Sequence, residues 1–287
     1  QLIWPDGRVC SGKLGGINCA RCATARAGST MIKSIYPALA PLFQWRDWMV
    51  KRAAFRIGNF VSPSQFLRQQ YLELGFPSAR FSVLENGIDV EHIRASPVLP
   101  KTDDLLRVTY LGSLAWQKGV HILVEAMRGL PPERIRLRVF GNPNTFPEYA
   151  ARLHSMADLN NTVFEGAIPN AQVGDVLAKT DVLAVPSLWY ENSPVVIQEA
   201  RAVGVPVIAS RLGALTEKVS DGVDGVLVTP GDVDSWREAL MRLATSPAAF
   251  ACLKETHCFP MSLTEHVAHL LEIYAGILNQ VSVRRSG

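Results

Sequence analysis

The chain has 287 residues, 48% of them hydrophobic and 19% charged, with a formal net charge of +3. Those values fit an α/β protein with large buried sheets and leave room for two domains of ordinary size. No apolar run approaches the ~20 residues that span a bilayer, and nothing resembles a nucleic-acid-binding module.

The charge is uneven. Residues 1–60 carry nine Lys/Arg against two acids, Asp6 and Asp47, a local +7 that leaves −4 for the remainder. With Trp45 and Trp48 this basic stretch has two readings, a face resting on anionic lipid or a solvated helix face. The residues given open on Gln1 rather than Met, and the expectation is an N-terminally truncated chain.

Residues 1–30 are rich in Gly and Cys and are expected to be irregular. Cys10, Cys19 and Cys22 share one loop, while Cys252 and Cys258 lie near the end. An odd count without a secretory pattern argues against a disulfide framework. Cys19-x2-Cys22 with Cys10 upstream offers three soft ligands for a structural zinc or an iron–sulfur group, one short of a tetrahedral set. A reduced, metal-free loop is the alternative. Ser34 to Gly58 reads as mostly helical after Pro41, with Leu42, Trp45 and Met49 on one face. A short strand follows at Asn59–Ser62. A helix opens at Ser62-Pro63-Ser64 and ends at Gly75, and a strand covers Phe81–Leu84. Asn86-Gly87 is a turn signal, and Pro97 and Pro100 mark a linker.

From Leu105 the pattern becomes regular. Strands are expected at Leu106–Leu111, Ile135–Phe140, Thr162–Glu165, Asp181–Val185, Val205–Ala209 and Gly225–Val228. Helices separate them near Val120–Gly129, Pro147–Met156, Ala171–Lys179, Pro194–Val203 and Leu215–Val219, and Ser235–Ala244 follows. Six strands alternating with helices define a doubly wound, six-stranded parallel sheet, whose ligands bind at the carboxyl ends of the strands. Gly112, Gly141, Gly166 and the segment Ser187–Asn192 all fall at such ends. After Ser262 a final helix runs to about Gln280, with Val267, Leu270, Leu271, Tyr274 and Leu278 in one apolar stripe.

Two loops carry candidate chemistry. The first, Leu111 to Gly119, is neither GxxxxGK[ST] nor GxGxxG, but its Lys118 is suited to neutralising a diphosphate as a point charge. A surface lysine is the plainer reading. In the second, Ser193 is read as an N-cap and Pro194 as the first helical residue, with Glu191 just before the helix and Glu199 inside it. Free amides at that helix start suit a phosphate. Over eight residues a helix rises about 12 Å and turns so that the two carboxylates stand roughly 80° apart. A glycosidase pair sits about 5–9.5 Å apart across one bond. Glu191 and Glu199 therefore suit two ends of one long ligand, such as a sugar nucleotide. One loop Glu and one solvated helix Glu is the alternative.

Taken together, Ser62-Pro63-Ser64, Val83 to Asp89, Leu111 to Val120, Phe164-Glu165-Gly166, Asp181 to Ser210, Gly222 to Asp232 and the closing helix with Ile273-Tyr274 resemble the group 1 retaining glycosyltransferases, the EX7E-motif family of the GT-B fold. The resemblance implies a partial, Rossmann-like, acceptor-side domain over residues 1–90. It implies a nucleotide-sugar-binding domain over 91–261, and over 262–287 a helix crossing back to the first domain. It further implies that Glu199 holds the ribose hydroxyls and Glu191 lies by the transferred sugar. Lys118 and the amides of Val195 and Val196 would hold the diphosphate, and the backbone of Ala167 and Ile168 would meet the base. Gly112, Ser113, Asn192 and Ser193 complete the implied donor-binding set, with Glu191 and Lys118 as its catalytic members.

The implied reaction is transfer from a UDP-, GDP- or ADP-linked sugar to a glycan or lipid-linked acceptor, with retention and without a required cofactor, in polysaccharide assembly. The implied setting is the cytoplasm, with a peripheral contact at the inner face of the membrane. Three departures stand out. Ser113 occupies the place of the family's usual Arg, Ser193-Pro194 replaces an aromatic-Gly pair, and the early part of the first domain is missing. The expectation is accordingly that this truncated chain alone does not turn over. The alternatives are a sugar-nucleotide epimerase of the same fold and a non-catalytic nucleotide-sugar-binding subunit.

Overall fold

The computed structural model describes residues 10, 12, 16–25, 34–95, 103–254 and 259–286. The expected linker prolines Pro97 and Pro100, and Cys258, lie outside the described residues. The chain divides into two compact units, one of residues 1–61 with 69–82, the other of 62–68 with 83–287.

In the first unit, helix α1 (Ile17–Ala25) is followed by α2 (Tyr36–Ala54) and strand β1 (Phe60–Ser62). Helix α3 (Gln65–Glu73), of which residues 69–73 belong to this unit, then leads to β2 (Phe81–Val83), the partner of β1 in a two-stranded sheet. The helix α1 corrects the expectation of an irregular opening. The flanking glycines suggest loop, but Ala20, Ala23 and Ala25 within the segment are strong helix formers and Ala20 is fully buried. Helix α2 likewise begins before Pro41 rather than after it. Pro41 stands early in the helix, where a missing N–H forfeits a single bond to the Pro37 carbonyl. Phe55, Phe60, Tyr71, Phe76 and Phe81 form an aromatic cluster in this unit, with Phe76 buried and Phe55 and Tyr71 at its exposed edge. Phe60 stacks on Phe81 at 4.8 Å and Phe55 on Phe76 at 5.2 Å between ring centroids. Leu42, Trp45, Trp48 and Met49 of α2 are exposed. Among the described residues no helix is long and apolar enough to cross a membrane.

The second unit carries α4 (Val90–Arg94) and then the sheet. Its order of elements is β3 (Leu106–Leu111), α5 (Val120–Met127), β4 (Ile135–Phe140), α6 (Pro147–Met156) and β5 (Thr162–Gly166). There follow α7 (Val173–Leu177), β6 (Val182–Val185), α8 (Val195–Ala202), β7 (Val207–Ser210), α9 (Leu215–Lys218) and β8 (Gly225–Val228). Helices α10 (Val233–Thr245), α11 (Pro247–Lys254) and α12 (Leu263–Ser286) close the chain. The last helix runs past the expected end at Gln280, since no Gly or Pro stops it. It leaves Val267, Leu271, Tyr274 and Leu278 exposed.

All six strands of the sheet are parallel, in the order β5-β4-β3-β6-β7-β8. Alternate residues feed two separate cores. Val108, Val182, Ala184 and Ile208 pack with Leu123, Leu153 and Trp236 from α5, α6 and α10. Leu183, Val185, Val207 and Ala209 pack with Leu177, Ile197 and Leu215 from α7, α8 and α9. Burial on both faces explains why β6 and β7 read as continuous apolar runs, whereas β4 and β5 toward one edge interleave polar residues. The doubly wound sheet expected from the sequence is thus present with all six strands. Its chain order reverses between β3 and β6, and in such sheets the crevice outside the carboxyl ends at that reversal receives ligands.

Candidate functional site at the reversal of strand order

Two loops meet at this reversal, one leaving β3 and the other leaving β6. Their approach depends on Gly119, which sits in the left-handed region with φ 71° and ψ 15°. A Cβ there would lie 1.8 Å from the Pro186 carbonyl oxygen, so the first loop packs directly against the backbone after β6. The Leu188 N–H donates to the Gln117 carbonyl at 2.9 Å and fixes the register of the two loops. Neighbouring strand ends are equally close. A Cβ on Gly141 would lie 2.4 Å from the Gly112 carbonyl, and one on Gly112 would lie 3.0 Å from the Tyr110 hydroxyl oxygen. That hydroxyl donates to the Ser113 carbonyl at 2.8 Å, and burial pushes its pKa far above the ordinary value.

This packing brings Lys118 and Glu191 together, with Lys118 Nζ 2.8 Å from Glu191 Oε1. Glu191 is buried, and the same oxygen accepts from Ser187 Oγ at 2.6 Å and from Trp189 Nε1 at 2.9 Å. The Lys118 ammonium also stands 5.5 Å from the Trp189 ring centroid. Three donors, one of them charged, converge on a single carboxylate oxygen.

Helix α8 begins beside this cluster. Pro194, not Ser193, is its N-cap residue, and no side chain caps it. The Ser193 hydroxyl is buried without a hydrogen-bond partner among the described residues. The expected serine cap is therefore corrected: Pro194 is extended, with φ −69° and ψ 112°, and the capping place passes one residue along the chain. Val195 and Val196 open the helix, and Ile197 makes its first backbone bond, to the Pro194 carbonyl. The amides of Val195 and Val196 thus stand where a helix leaves its N–H groups unpaired and its dipole is positive. Glu199 is half-buried in the second turn, and burial raises its carboxyl pKa above the ordinary value. Its neighbour Gln198 donates to the Asn86 carbonyl at 2.7 Å. Asn192 is exposed, as are Gly112, Ser113 and Ala167, and Ile168 is half-buried against the second core.

Trp116, His121 and Tyr149 form a brace that the sequence did not reveal. The Tyr149 hydroxyl accepts from the His121 backbone N–H at 3.1 Å and lies 2.8 Å from His121 Nδ1. Trp116 stacks on the imidazole at 5.3 Å. Burial, and then the charge of Arg152, lower the His121 pKa to about 4, while burial pushes Tyr149 up to about 12. The unfolded chain therefore binds a proton that the folded chain refuses between about pH 6.5 and 4. Stability is expected to fall as pH drops through that window. Denaturant midpoints for wild type and His121→Gln between pH 7 and 4 check this, with a shallower loss expected for the variant. Parallel curves would remove His121 from the account.

The described residues contain no group of three or more His, Cys, Asp or Glu able to hold a metal, so Cys10, Cys19 and Cys22 do not come together as ligands. Instead Cys10 Sγ lies 3.6 Å from the Gly12 carbonyl, and Cys19 Sγ lies 3.8 Å from Arg46 Nη2.

The second unit is an α/β unit of the GT-B fold. Its architecture is shared with the crystal structure of Anabaena Alr3699/HepE in complex with UDP and glucose, at a TM-score of 0.67 and 21% identity, over 77% of this chain and 64% of that one. Residues 106–246 match the family model for glycosyl transferases group 1. Among curated proteins, a glycogen synthase of Mycobacterium tuberculosis (strain CDC 1551 / Oshkosh) is 28% identical over 208 residues, 71% of this chain and 48% of the relative. A D-inositol 3-phosphate glycosyltransferase of Stackebrandtia nassauensis is 32% identical over 203 residues, 64% of this chain and 45% of the relative. The chain spans about half the length of these curated relatives.

Proposed function

We propose that the chain carries the donor site of a retaining glycosyltransferase that moves a sugar from a UDP-, GDP- or ADP-linked donor to a glycan or lipid-linked acceptor in polysaccharide assembly. The observation that carries this reading is the meeting of Lys118 and Glu191, 2.8 Å apart, at the reversal of strand order beside the start of α8. The UDP and glucose held by the Anabaena neighbour, and the transfer reactions named for the curated relatives, support the same reading.

In the reaction, the bond between the anomeric carbon and the diphosphate oxygen breaks, and its electron pair leaves with the diphosphate. The acceptor hydroxyl oxygen bonds to that carbon, and its proton passes to the released diphosphate. Negative charge grows on the leaving diphosphate, where the Lys118 ammonium and the amides of Val195 and Val196 offset it. Glu199 accepts from the ribose hydroxyls, one turn further into α8. Glu191 stands at the sugar end. The backbone of Ala167 and Ile168, just past β5, faces the base, and Gly112 and Ser113 give the donor close access to the backbone.

Lys118→Ala tests the reading. Affinity for the best-binding nucleoside diphosphate is expected to fall by about 1.5–3 kcal/mol, the range for hydrogen bonds to charged groups, with the matching nucleoside unaffected. Calorimetry with both ligands measures the two losses. Equal losses would mean that Lys118 is no phosphate ligand.

A further inference from the structure

Glu191 Oε1 has more donors than its ion pair with Lys118 requires. Ser187 and Trp189 precede it by four and two residues in the same loop, and both side chains turn back onto that oxygen, at 2.6 and 2.9 Å. Trp189 also presents its ring face to the Lys118 ammonium at 5.5 Å. The indole thus touches both members of the pair. Of the two charged side chains, Glu191 is the more deeply buried, at 9% exposure against 26% for Lys118.

A buried carboxylate that loses its cation is left uncompensated, and such a loss is strongly unfavourable. If Lys118 swings to an incoming diphosphate, something must still hold Glu191. We propose that Trp189 and Ser187 are positioning residues that keep the Glu191 carboxylate satisfied when Lys118 leaves it, so that the Lys118–Glu191 pair is the resting state of a cation released by the donor diphosphate. This rests on the assignment of Lys118 to the phosphate made above. Before the donor enters, the pair neutralises the crevice. After it enters, the ammonium exchanges one anion for another, and two neutral donors remain on Oε1. Trp189 matters to the diphosphate although it does not touch it.

Affinities of UDP, GDP and ADP, and of the matching nucleosides, are measured by calorimetry for wild type, Lys118→Ala, Trp189→Phe and the double variant. Phenylalanine keeps a ring against Lys118 but has no N–H. Trp189→Phe is expected to weaken the best-binding diphosphate about tenfold, the size of one hydrogen bond to a charged group, with the nucleoside unchanged. In the Lys118→Ala background the same substitution is expected to change diphosphate affinity less than about twofold, because no cation remains to be released. An equal loss for nucleoside and diphosphate, an equal loss in both backgrounds, or no loss at all would overturn the proposal. The last result is what a lysine bridging carboxylate and phosphate without release would give. Should Trp189→Phe fail to fold, Ser187→Ala removes the other donor and carries the same expectations. If Lys118→Ala spares the diphosphate, the phosphate assignment fails and the proposal with it. If Lys118→Ala is selective but Trp189→Phe is not, the positioning role alone fails.

Discussion

Gly119→Ala is expected to destabilise the second unit by about 2–5 kcal/mol. Two costs combine. A side chain in the left-handed region costs roughly 1–2 kcal/mol, and forcing extra atoms into a packed site costs roughly 1–3 kcal/mol. Gly119 incurs both, with φ at 71° and the new Cβ 1.8 Å from a backbone oxygen that no rotamer change can move. Gly129 is the control. It has nearly the same dihedral, φ 76°, but nothing within 4 Å of an added Cβ, so Gly129→Ala incurs only the conformational cost. Denaturant unfolding of both variants separates the terms. A clearly larger loss at Gly119 is expected, together with weakened diphosphate binding, since separating the loops carries Lys118 away from the crevice beside α8. Equal losses at the two positions would contradict the contact with Pro186.

Glu199→Ala is expected to weaken the preferred nucleoside diphosphate about 10- to 150-fold, corresponding to about 1.5–3 kcal/mol, while leaving the fold as stable as before or more so. The opposite signs come from one cause. Burial raises the Glu199 carboxyl pKa in the folded chain, so the folded chain holds the proton more tightly than the unfolded one. The anion therefore costs stability at neutral pH, and that cost fades as pH falls below the raised value. Alanine removes the cost and with it the acceptor proposed for the ribose hydroxyls. Calorimetry and thermal unfolding on the same preparation read both quantities. Unchanged affinity with an intact fold would defeat the assignment, and lower stability would show that Glu199 is paired within the fold.

The sheet was legible because burial on two faces writes itself into short apolar runs closed by Gly and Pro, as at Val182–Val185 before Pro186. The helix that carries Glu199 was legible from Pro194 before it and Gly204 after it, whereas Glu191 lies in the loop ahead of that helix, where helical spacing does not apply. Other features had no such signal. The convergence of Ser187 and Trp189 on Glu191 depends on a loop conformation, and loops have no period to read. Tyr149 reaches His121 across 28 residues from another helix, a contact made only by the packing of α6 on α5. Ser193 looked like a cap by residue type, yet the extended Pro194 took that place and left the serine hydroxyl buried. The helix α1 was hidden by its glycine flanks, which outweighed its alanines in a reading from composition.

The crevice between the β3 and β6 loops is expected to hold a nucleoside diphosphate. Titration calorimetry of UDP, GDP and ADP against the purified chain tests it most directly, with Glu199→Ala and Lys118→Ala run alongside. One of the three is expected to bind at one equivalent per chain, with a Kd below about 1 mM, corresponding to about −4.1 kcal/mol, and to weaken in both variants. No binding by any of the three at millimolar concentration, or binding that both variants leave unchanged, would contradict it.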